Sequence, residues 1–599
     1  MHRLLLVSLI FTSLFAKRNF AQDSTITNVF DKDFFLFEKA SKKTNFSNDS
    51  VFNQIQNYFS RNLMGNIGLP NYEYLLSYKE DPIGVRWFNS PYDEKLFGLT
   101  EKNQYGGKGI KTNVFGAAGT KKEQVLKLEH IQNFSDNFNV SVKLNRYGAL
   151  GFYQFQQSFV NNVYVASNYF TKKKRFGILF SYGFDRFKHQ ENGGITSDTS
   201  IVKDNLVDKI LVPVNLKSAK RNYSLMTGSL HFFFKLNKDS LDKLNHHVLF
   251  GGNGFINKSH YTDVPSVFYD TAFFNQLNTN DTTKYSKVSP DFSYNLTSKN
   301  INFEIGSRYE FSEWYTPDSL QRYTSVIGFQ RFGWQSNSGS FKIKQKANYI
   351  ASGSNIGDYS ASVNALFYTP VLKTTFSLMV NTELRSPDLF FNYNSVNNFF
   401  WKNTFEKSNT NAGYFYADSK KLQLTFGAVY RNTDKLIVLD SMALPKQLKK
   451  NAVTARIFLK HHLKVYKFHL ENQVNYQSTN AYSLPVPYIY TQHQLYFEHR
   501  VKKNGLKMQI GVQANYIGKM DLISYNPALN SYYLKKSKEQ GGNYVFADFF
   551  FNISFKPVTL FFKAEHLNQG FTGMNYTLLN GYFQPDRAFR FGLNWEFWD

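Results

Sequence analysis

The 599-residue chain contains no cysteine. That excludes disulfides, thiolate metal sites and cysteine nucleophiles. It also argues against a eukaryotic secreted protein of this size, which usually carries disulfides. Proline is scarce, at 15 residues, whereas the short strands and tight loops of a soluble sandwich or propeller draw on more of it. No apolar run reaches the 18 residues that a spanning helix needs. No Gly-x4-Gly-Lys-Ser/Thr loop occurs. Gly251-Gly252-Asn253-Gly254 has no helical pattern after it, so it reads as a turn or bulge and not a nucleotide loop. No Ser, His and acid stand out as a set, so we expect no enzyme, no cofactor and no metal. Acidic residues are also few, 45 against 70 Lys and Arg, giving a formal charge of +25. The basic residues are spread along the chain and form no basic arm, which disfavours nucleic acid as a partner.

Aromatic residues are abundant. Phe, Tyr and Trp make up 18% of the chain, with 61 Phe. Mean hydropathy is nonetheless −0.42, because apolar residues are interleaved with polar ones. The C-terminus shows the pattern clearly. Phe589, Phe591, Leu593, Trp595 and Phe597 alternate with Arg590, Gly592, Asn594 and Glu596. Successive side chains of a strand point to opposite faces, so this strand has one apolar and one largely polar face. In a membrane barrel the first meets lipid and the second a watery lumen.

Met1–Ala21 has the form of a secretory signal: a basic His2-Arg3, an apolar run over Leu4–Phe15 and a small residue at Ala21, with Ala16 as an alternative cleavage point. Its removal takes away Arg3, Lys17 and Arg18 and no acid, leaving +22 from +25. Residues 22–107 differ in texture. Short amphipathic helices are expected at Asp31–Ala40 and Ser50–Arg61, followed by a Gly- and Pro-containing loop at Gly65–Asn71. This stretch reads as a periplasmic or lumen-entering, plug-like segment.

Residues 108–599 read as the barrel. In Ile301–Phe311 the apolar set Ile301, Phe303, Ile305, Tyr309, Phe311 opposes Asn302, Glu304, Arg308 and Glu310. In Leu506–Tyr516 an unbroken apolar set from Leu506 to Tyr516 opposes Lys507, Gln509, Gly511, Gln513 and Asn515. In Phe176–Phe184 the alternation is broken only by Leu179. Many such segments reach the 9–11 residues that a tilted strand needs to cross a bilayer. Short connections such as Gln335–Gly339 and Lys502–Gly505 carry turn residues. Long polar ones are expected at Gln190–Arg221, His260–Asn300, Ser386–Lys407, Gly518–Asn543 and Asn568–Arg587. We expect about 20 crossings, within about two to four, and an even number. An open sheet of that size would leave unpaired edges in lipid, so the fold expected is an all-β, closed antiparallel transmembrane barrel.

The candidate pore-lining residues are Lys127, Lys143, Arg308, Lys342, Lys344, Lys346, Arg456, Lys460, Lys507 and Arg590, with Lys467 and Lys563 on the same faces. Inward acids are Glu129, Glu304, Glu310, Glu471, Glu498, Glu565 and Glu596, and part of this charge is expected to pair across strands. The Lys342/Lys344/Lys346 ladder and the overall charge imply a mild anion preference. His246-His247 and His461-His462 are neighbours on strands and cannot chelate one metal. Lys467, His469, Glu471, Gln473 and Asn475 share a face and read as wall lining.

The chain resembles the putative β-barrel porins of Bacteroidetes outer membranes. The likeness is carried by Asn62-Leu-Met-Gly-Asn-Ile-Gly-Leu-Pro70, Lys188-His-Gln-Glu-Asn-Gly-Gly194, Ala564-Glu-His-Leu-Asn-Gln-Gly-Phe571 and Pro585-Asp-Arg587 leading into Phe591-Gly-Leu593. The resemblance implies an outer-membrane, multi-pass barrel. Its terminal strand is similar to the signal read by the barrel-insertion machinery, with Phe597 or Trp598 in the terminal role. The expected activity is passive diffusion of small polar solutes, with outer-membrane lipid and lipopolysaccharide as surroundings. The alternative is a plugged or partner-gated transporter or surface-binding barrel. The sequence names neither a solute nor an oligomeric state.

Overall fold

The computed structural model describes residues 26–28, 64–77, 83–87, 91–101 and 104–107, and from 109 onward all except 197–207, 238–243, 265–267, 482–483, 502–504, 536–538, 572–575 and 599. The expected signal at Met1–Ala21, the two helices at Asp31–Ala40 and Ser50–Arg61 and most of the Lys502–Gly505 turn lie outside the described residues.

Twenty-two antiparallel strands form one closed barrel. Each strand pairs with the next in sequence. The first, Ile110–Gly119, also pairs with the last, Ala588–Trp598, from Lys111↔Trp598 to Gly119↔Arg590. Closure leaves no edge, as backbone in lipid requires. The count lies within the range read from the sequence.

Burial is inverted relative to a soluble protein. On Ile301–Thr316, Ile305 and Tyr309 are 51% and 45% exposed, while Glu304 and Glu310 are each 1% exposed. The same inversion recurs on Leu506–Ile517, where Ile510 and Val512 are exposed and Lys507, Gln509 and Gln513 are buried. An apolar band open to the outside around a buried polar interior is what a lipid-facing barrel presents. Leu179, the exception in its strand, turns inward and packs against Phe170, Phe233 and Leu249.

The two rims differ. One carries both barrel ends and short turns such as 136–137, 298–300, 420–423 and 556–557. The other carries the long connections 191–219, 264–278, 386–407, 435–451, 518–543 and 566–587. Within these, small hairpins form, among them Tyr393–Val396 with Phe399–Lys402 and Ser524–Asn526 with Ser531–Tyr533. Their apolar sides fold over the barrel mouth, where Tyr525, Leu578, Leu579, Tyr582 and Phe583 join one buried cluster with Met64, Leu69 and Tyr153.

Two expectations need correction. The polar stretch His260–Asn300 is not one loop: Asn245–Asp263 extends into it and Thr279–Thr297 is a full strand. At 19 residues that strand is longer than a crossing needs. Its polar half, Thr279–Ser286, lies toward the long-loop rim, and there its own outward residues Asn280, Thr282, Lys284 and Ser286 are polar. Gly251-Gly252-Asn253-Gly254 is neither turn nor bulge but continuous strand, in unbroken register with Ser289–Val288 and its neighbours. A Cβ on Gly251 would sit 2.2 Å from the Leu230 carbonyl oxygen. The glycine permits close strand approach and does not reverse the chain.

Candidate functional site

The alternation of each strand sends its polar set inward, and the predicted basic residues lie on that face. Lys143 contacts Glu101 at 2.7 Å and Glu129 at 3.2 Å. Arg308 contacts Glu310 at 3.0 Å, and Lys507 contacts Glu498 at 3.1 Å. Lys563 lies 3.4 Å from Asp548 and 3.0 Å from Glu565. Arg590 pairs with Glu123 at 2.9 Å and with Glu565. Glu304 pairs with Arg331 at 2.8 Å. Much of the inward charge is thus matched between neighbouring strands. Lys127 lies over the Phe115 ring and Lys460 over Phe458, at 5.6 and 6.0 Å. Lys344 and Lys346 face Asn364 and Ser362 in register, and Lys342 is exposed below them toward the short-turn rim. Lys467 meets His499 at 3.0 Å, Glu471 accepts from Tyr496 at 2.9 Å, and Glu596 accepts from the Trp598 indole at 2.9 Å. His469 is buried against His462 at 2.9 Å, as wall and not as a chelate.

On the last strand Phe589, Phe591, Leu593 and Trp595 are exposed on the outer face. Phe597 continues that face against the Trp595 ring at 4.9 Å. Trp598 takes the other face, with Lys111 5.4 Å above its ring. Phe597 therefore holds the outer terminal position.

The described part of the N-terminal segment runs through the lumen. It starts beneath the long loops. Asn66 donates to the Gln156 carbonyl at 2.7 Å, and Gln156 donates back to that of Met64 at 2.6 Å. Tyr72 meets Tyr532 edge-on at 5.3 Å. The Gln477 amide grips the backbone on both sides, accepting from Leu76 N–H at 3.1 Å and donating to the Tyr74 carbonyl at 2.6 Å. Arg456 donates to the Leu76 carbonyl at 2.8 Å and to Asn475. The segment then meets a different part of the wall. Ile83 packs on Ile327 and Ile350. Tyr285 donates to the Val85 carbonyl at 2.6 Å, and Trp87 lies 5.8 Å from Trp314. Gly84, at φ +121°, passes so close to the wall that a Cβ would lie 2.4 Å from a Glu310 carboxylate oxygen. Arg86 forms a two-pronged pair with Asp388 of the 386–407 loop, at 3.1 and 3.2 Å. Finally the chain returns to the first strands. Asn162 donates to the Lys95 carbonyl at 2.6 Å. The Asp185 carboxylate accepts from Phe97 and Gly98 N–H at 2.9 and 2.8 Å. Asn168 donates to the Tyr105 carbonyl at 2.8 Å, just before the first barrel strand.

A buried polar node ties this segment to the loops. Tyr92 contacts His189 at 2.8 Å, and His189 contacts Glu191 at 2.9 Å. Glu191 also accepts from Arg221 at 3.2 Å and from Tyr525 at 3.1 Å. Arg221 reaches on to the carbonyls of Pro527 and Ala528. Tyr582 donates to Asn192 at 2.8 Å. Burial by itself would raise the Glu191 carboxyl, but the charges of His189 and Arg221 and the Tyr525 hydroxyl outweigh it and hold it below the usual carboxylate range. Burial pushes the Tyr525 phenol well up. The Lys188–Gly194 motif, read from the sequence only as a family marker, supplies three members of this node. Tyr92, Trp87, Asp185, Tyr285 and Asp388 carried no sequence signal of their own.

Not all of the lumen is filled by described side chains. A cavity of about 540 Å³ lies toward the short-turn rim, lined by Asp418, Lys460, His462, Glu471, Gln473 and Gln492 among others.

Solved structures share the architecture. The FrpB iron transporter from Neisseria meningitidis (F3-3 variant) superposes with TM-score 0.57 at 11% identity, covering 84% of this chain and 83% of that one. A variant of the ferric enterobactin receptor PfeA from Pseudomonas aeruginosa, in complex with enterobactin, gives TM-score 0.57 at 12% identity over 83% and 82%. At such identities the likeness is one of fold. No curated protein matches the sequence. A family profile described as "Putative porin" matches residues 17–599, and the chain belongs to that family.

Proposed function

We propose that the protein is an outer-membrane transport barrel for small polar solutes, occluded at rest by the segment preceding its first strand. The carrying observation is that the described residues among 64–107 contact the wall from Asn162 and Asp185 through Tyr285 and Trp314 to Arg456 and Gln477, while holding the loops above. Passage through the lumen then requires that segment to move. The family supports a porin-like barrel. The names of the two solved structures, a transporter and a receptor, support the transport class. The exposed apolar band supports placement in a membrane. The reading is non-enzymatic.

The cavity near Lys460 and His462 favours a second reading, a narrow passive path along that flank. Its two lysines, Lys420 and Lys460, are balanced by Asp418 and Glu471, so any lean toward anions would come from Lys342, Lys344 and Lys346 elsewhere on the wall.

Proteoliposome swelling separates the two. Occlusion predicts no swelling with sugars or amino acids for the intact chain. Swelling at a rate that falls smoothly with solute size would favour the open path.

A further inference from the structure

We infer that the short-turn rim is a basic collar for the headgroups of anionic phospholipids. The described residues of the short turns hold ten Lys and Arg: Lys172-Lys173-Lys174-Arg175, Lys299, Lys373, Lys420-Lys421, Lys467 and Lys556. Against them stands one acid, Asp136, a net of 10 − 1 = +9. The opposite rim is nearly balanced. Its described connections carry thirteen Lys and Arg against eleven Asp and Glu, a net of 13 − 11 = +2 in far more residues. Several of those pair, including Lys121 with Asp208, Lys209 with Asp586 and Lys407 with Asp358. On the short-turn rim none of the ten pairs with a carboxylate among the described residues. Nine of them are exposed, and Lys467 is half-buried on His499. Like charges gathered without counter-charges repel one another, and an external anion relieves that.

The position of the charges selects the occupant. They are distributed over six turns around the perimeter and form no single face, so one acidic protein domain does not match them. The same rim carries outward-facing aromatic pairs at its strand ends, one of them directly beside Lys467. Phe134 and Phe138 stack at 5.4 Å, Trp334 and Phe341 lie 5.9 Å apart, and Phe468 and Phe497 lie 5.4 Å apart. Aromatic girdles mark the level where hydrocarbon gives way to headgroups. The collar therefore lies in the headgroup layer of one leaflet, where each basic residue strengthens association with an anionic surface by about five-fold. The inference rests on the barrel sitting in a bilayer, but not on whether its lumen is open.

The test uses the full chain refolded into phosphatidylcholine vesicles with spin-labelled phosphatidylglycerol or spin-labelled phosphatidylcholine as reporter. Electron paramagnetic resonance reads the fraction of label immobilised at the barrel. The expected result is a phosphatidylglycerol preference of about two- to five-fold at low salt, falling toward one in 1 M NaCl. Replacing Lys172, Lys173, Lys174, Lys420 and Lys421 by Gln should remove most of it. Replacing Lys446, Lys449 and Lys450 of the other rim by Gln should leave it unchanged. Equal immobilisation of the two labels by inserted wild-type protein overturns the collar, as does a preference that the five substitutions do not reduce. Insertion is read separately from the heat-modified gel band, and its failure in any vesicle counts against the bilayer placement itself.

Discussion

Asp388→Asn is the substitution that weighs the tie between the lumenal segment and the loops. The Asp388 carboxylate meets Arg86 through two contacts, 3.1 and 3.2 Å, with the side chains only 17% and 12% exposed. Beside it, Leu389 N–H donates to the Arg86 carbonyl and Phe390 N–H to that of Trp87, both at 2.9 Å. The amide keeps the size of the carboxylate and leaves those backbone bonds in place, but removes the negative charge and one acceptor. A partly buried hydrogen bond to a charged group contributes about 1.5–3 kcal/mol. A loss of about 2 kcal/mol raises the local opening constant about thirty-fold. Hydrogen exchange followed by mass spectrometry on peptides covering residues 83–101 should show that acceleration, with exchange in the barrel strands unchanged. Glu313→Gln provides the contrast. Its partner Arg322 is 64% exposed, so the change should cost well under about 1 kcal/mol. Unaltered exchange at residues 83–101 in Asp388→Asn would refute the idea that this pair holds the segment.

Glu191 gives the fold an acid-sensitive joint. Its folded-state carboxyl is depressed, so its contribution is complete above the unfolded carboxylate value of about 4.3 and is lost as pH falls through the folded one. Limited proteolysis of the 518–543 loop should be slow at neutral pH and faster on acidification, and Glu191→Gln should be cleaved readily at both. Gly84→Val places a Cβ 2.4 Å from a Glu310 oxygen at φ +121°; it should cost about 1–3 kcal/mol of local protection over residues 83–87 while the heat-modifiable barrel band persists. Phe591→Lys puts a charge where Phe591 is 60% exposed on the outer face; vesicle refolding yield should drop in line with about 2–4 kcal/mol at the bilayer midplane. An unchanged yield would mean that this face does not meet lipid.

The barrel was legible because period-two alternation is a property of each strand alone. Ile305 and Tyr309 against Glu304 and Glu310 state which faces differ, and closure follows from the cost of unpaired backbone in lipid. The same alternation placed Lys143, Arg308, Lys507 and Arg590 on the inward face. It could not show that Lys143, Lys507 and Arg590 are matched by Glu129, Glu498 and Glu123 of other strands, because register between strands is set by pairing and not by pattern. Thr279–Ser286 escaped detection for a different reason. Above the apolar band both strand faces are polar, so alternation carries no signal. The lumenal segment was foreshadowed only as a possibility, since irregular backbone has no period. Its course depends on single contacts such as Asp185 with Phe97 and Gly98 N–H, or Gln477 with Tyr74 and Leu76, that arise when distant parts of the chain meet.

The most direct test of occlusion is single-channel recording in planar bilayers. The intact chain is compared with one lacking residues 22–107, under a salt gradient. The account predicts that the intact protein shows no large steps, at most small conductances through the flank near Lys460. The shortened barrel should open in large, ohmic steps with an anion-leaning reversal potential. Equal, large steps from both proteins would contradict it, because a segment that leaves conductance unchanged does not close the lumen.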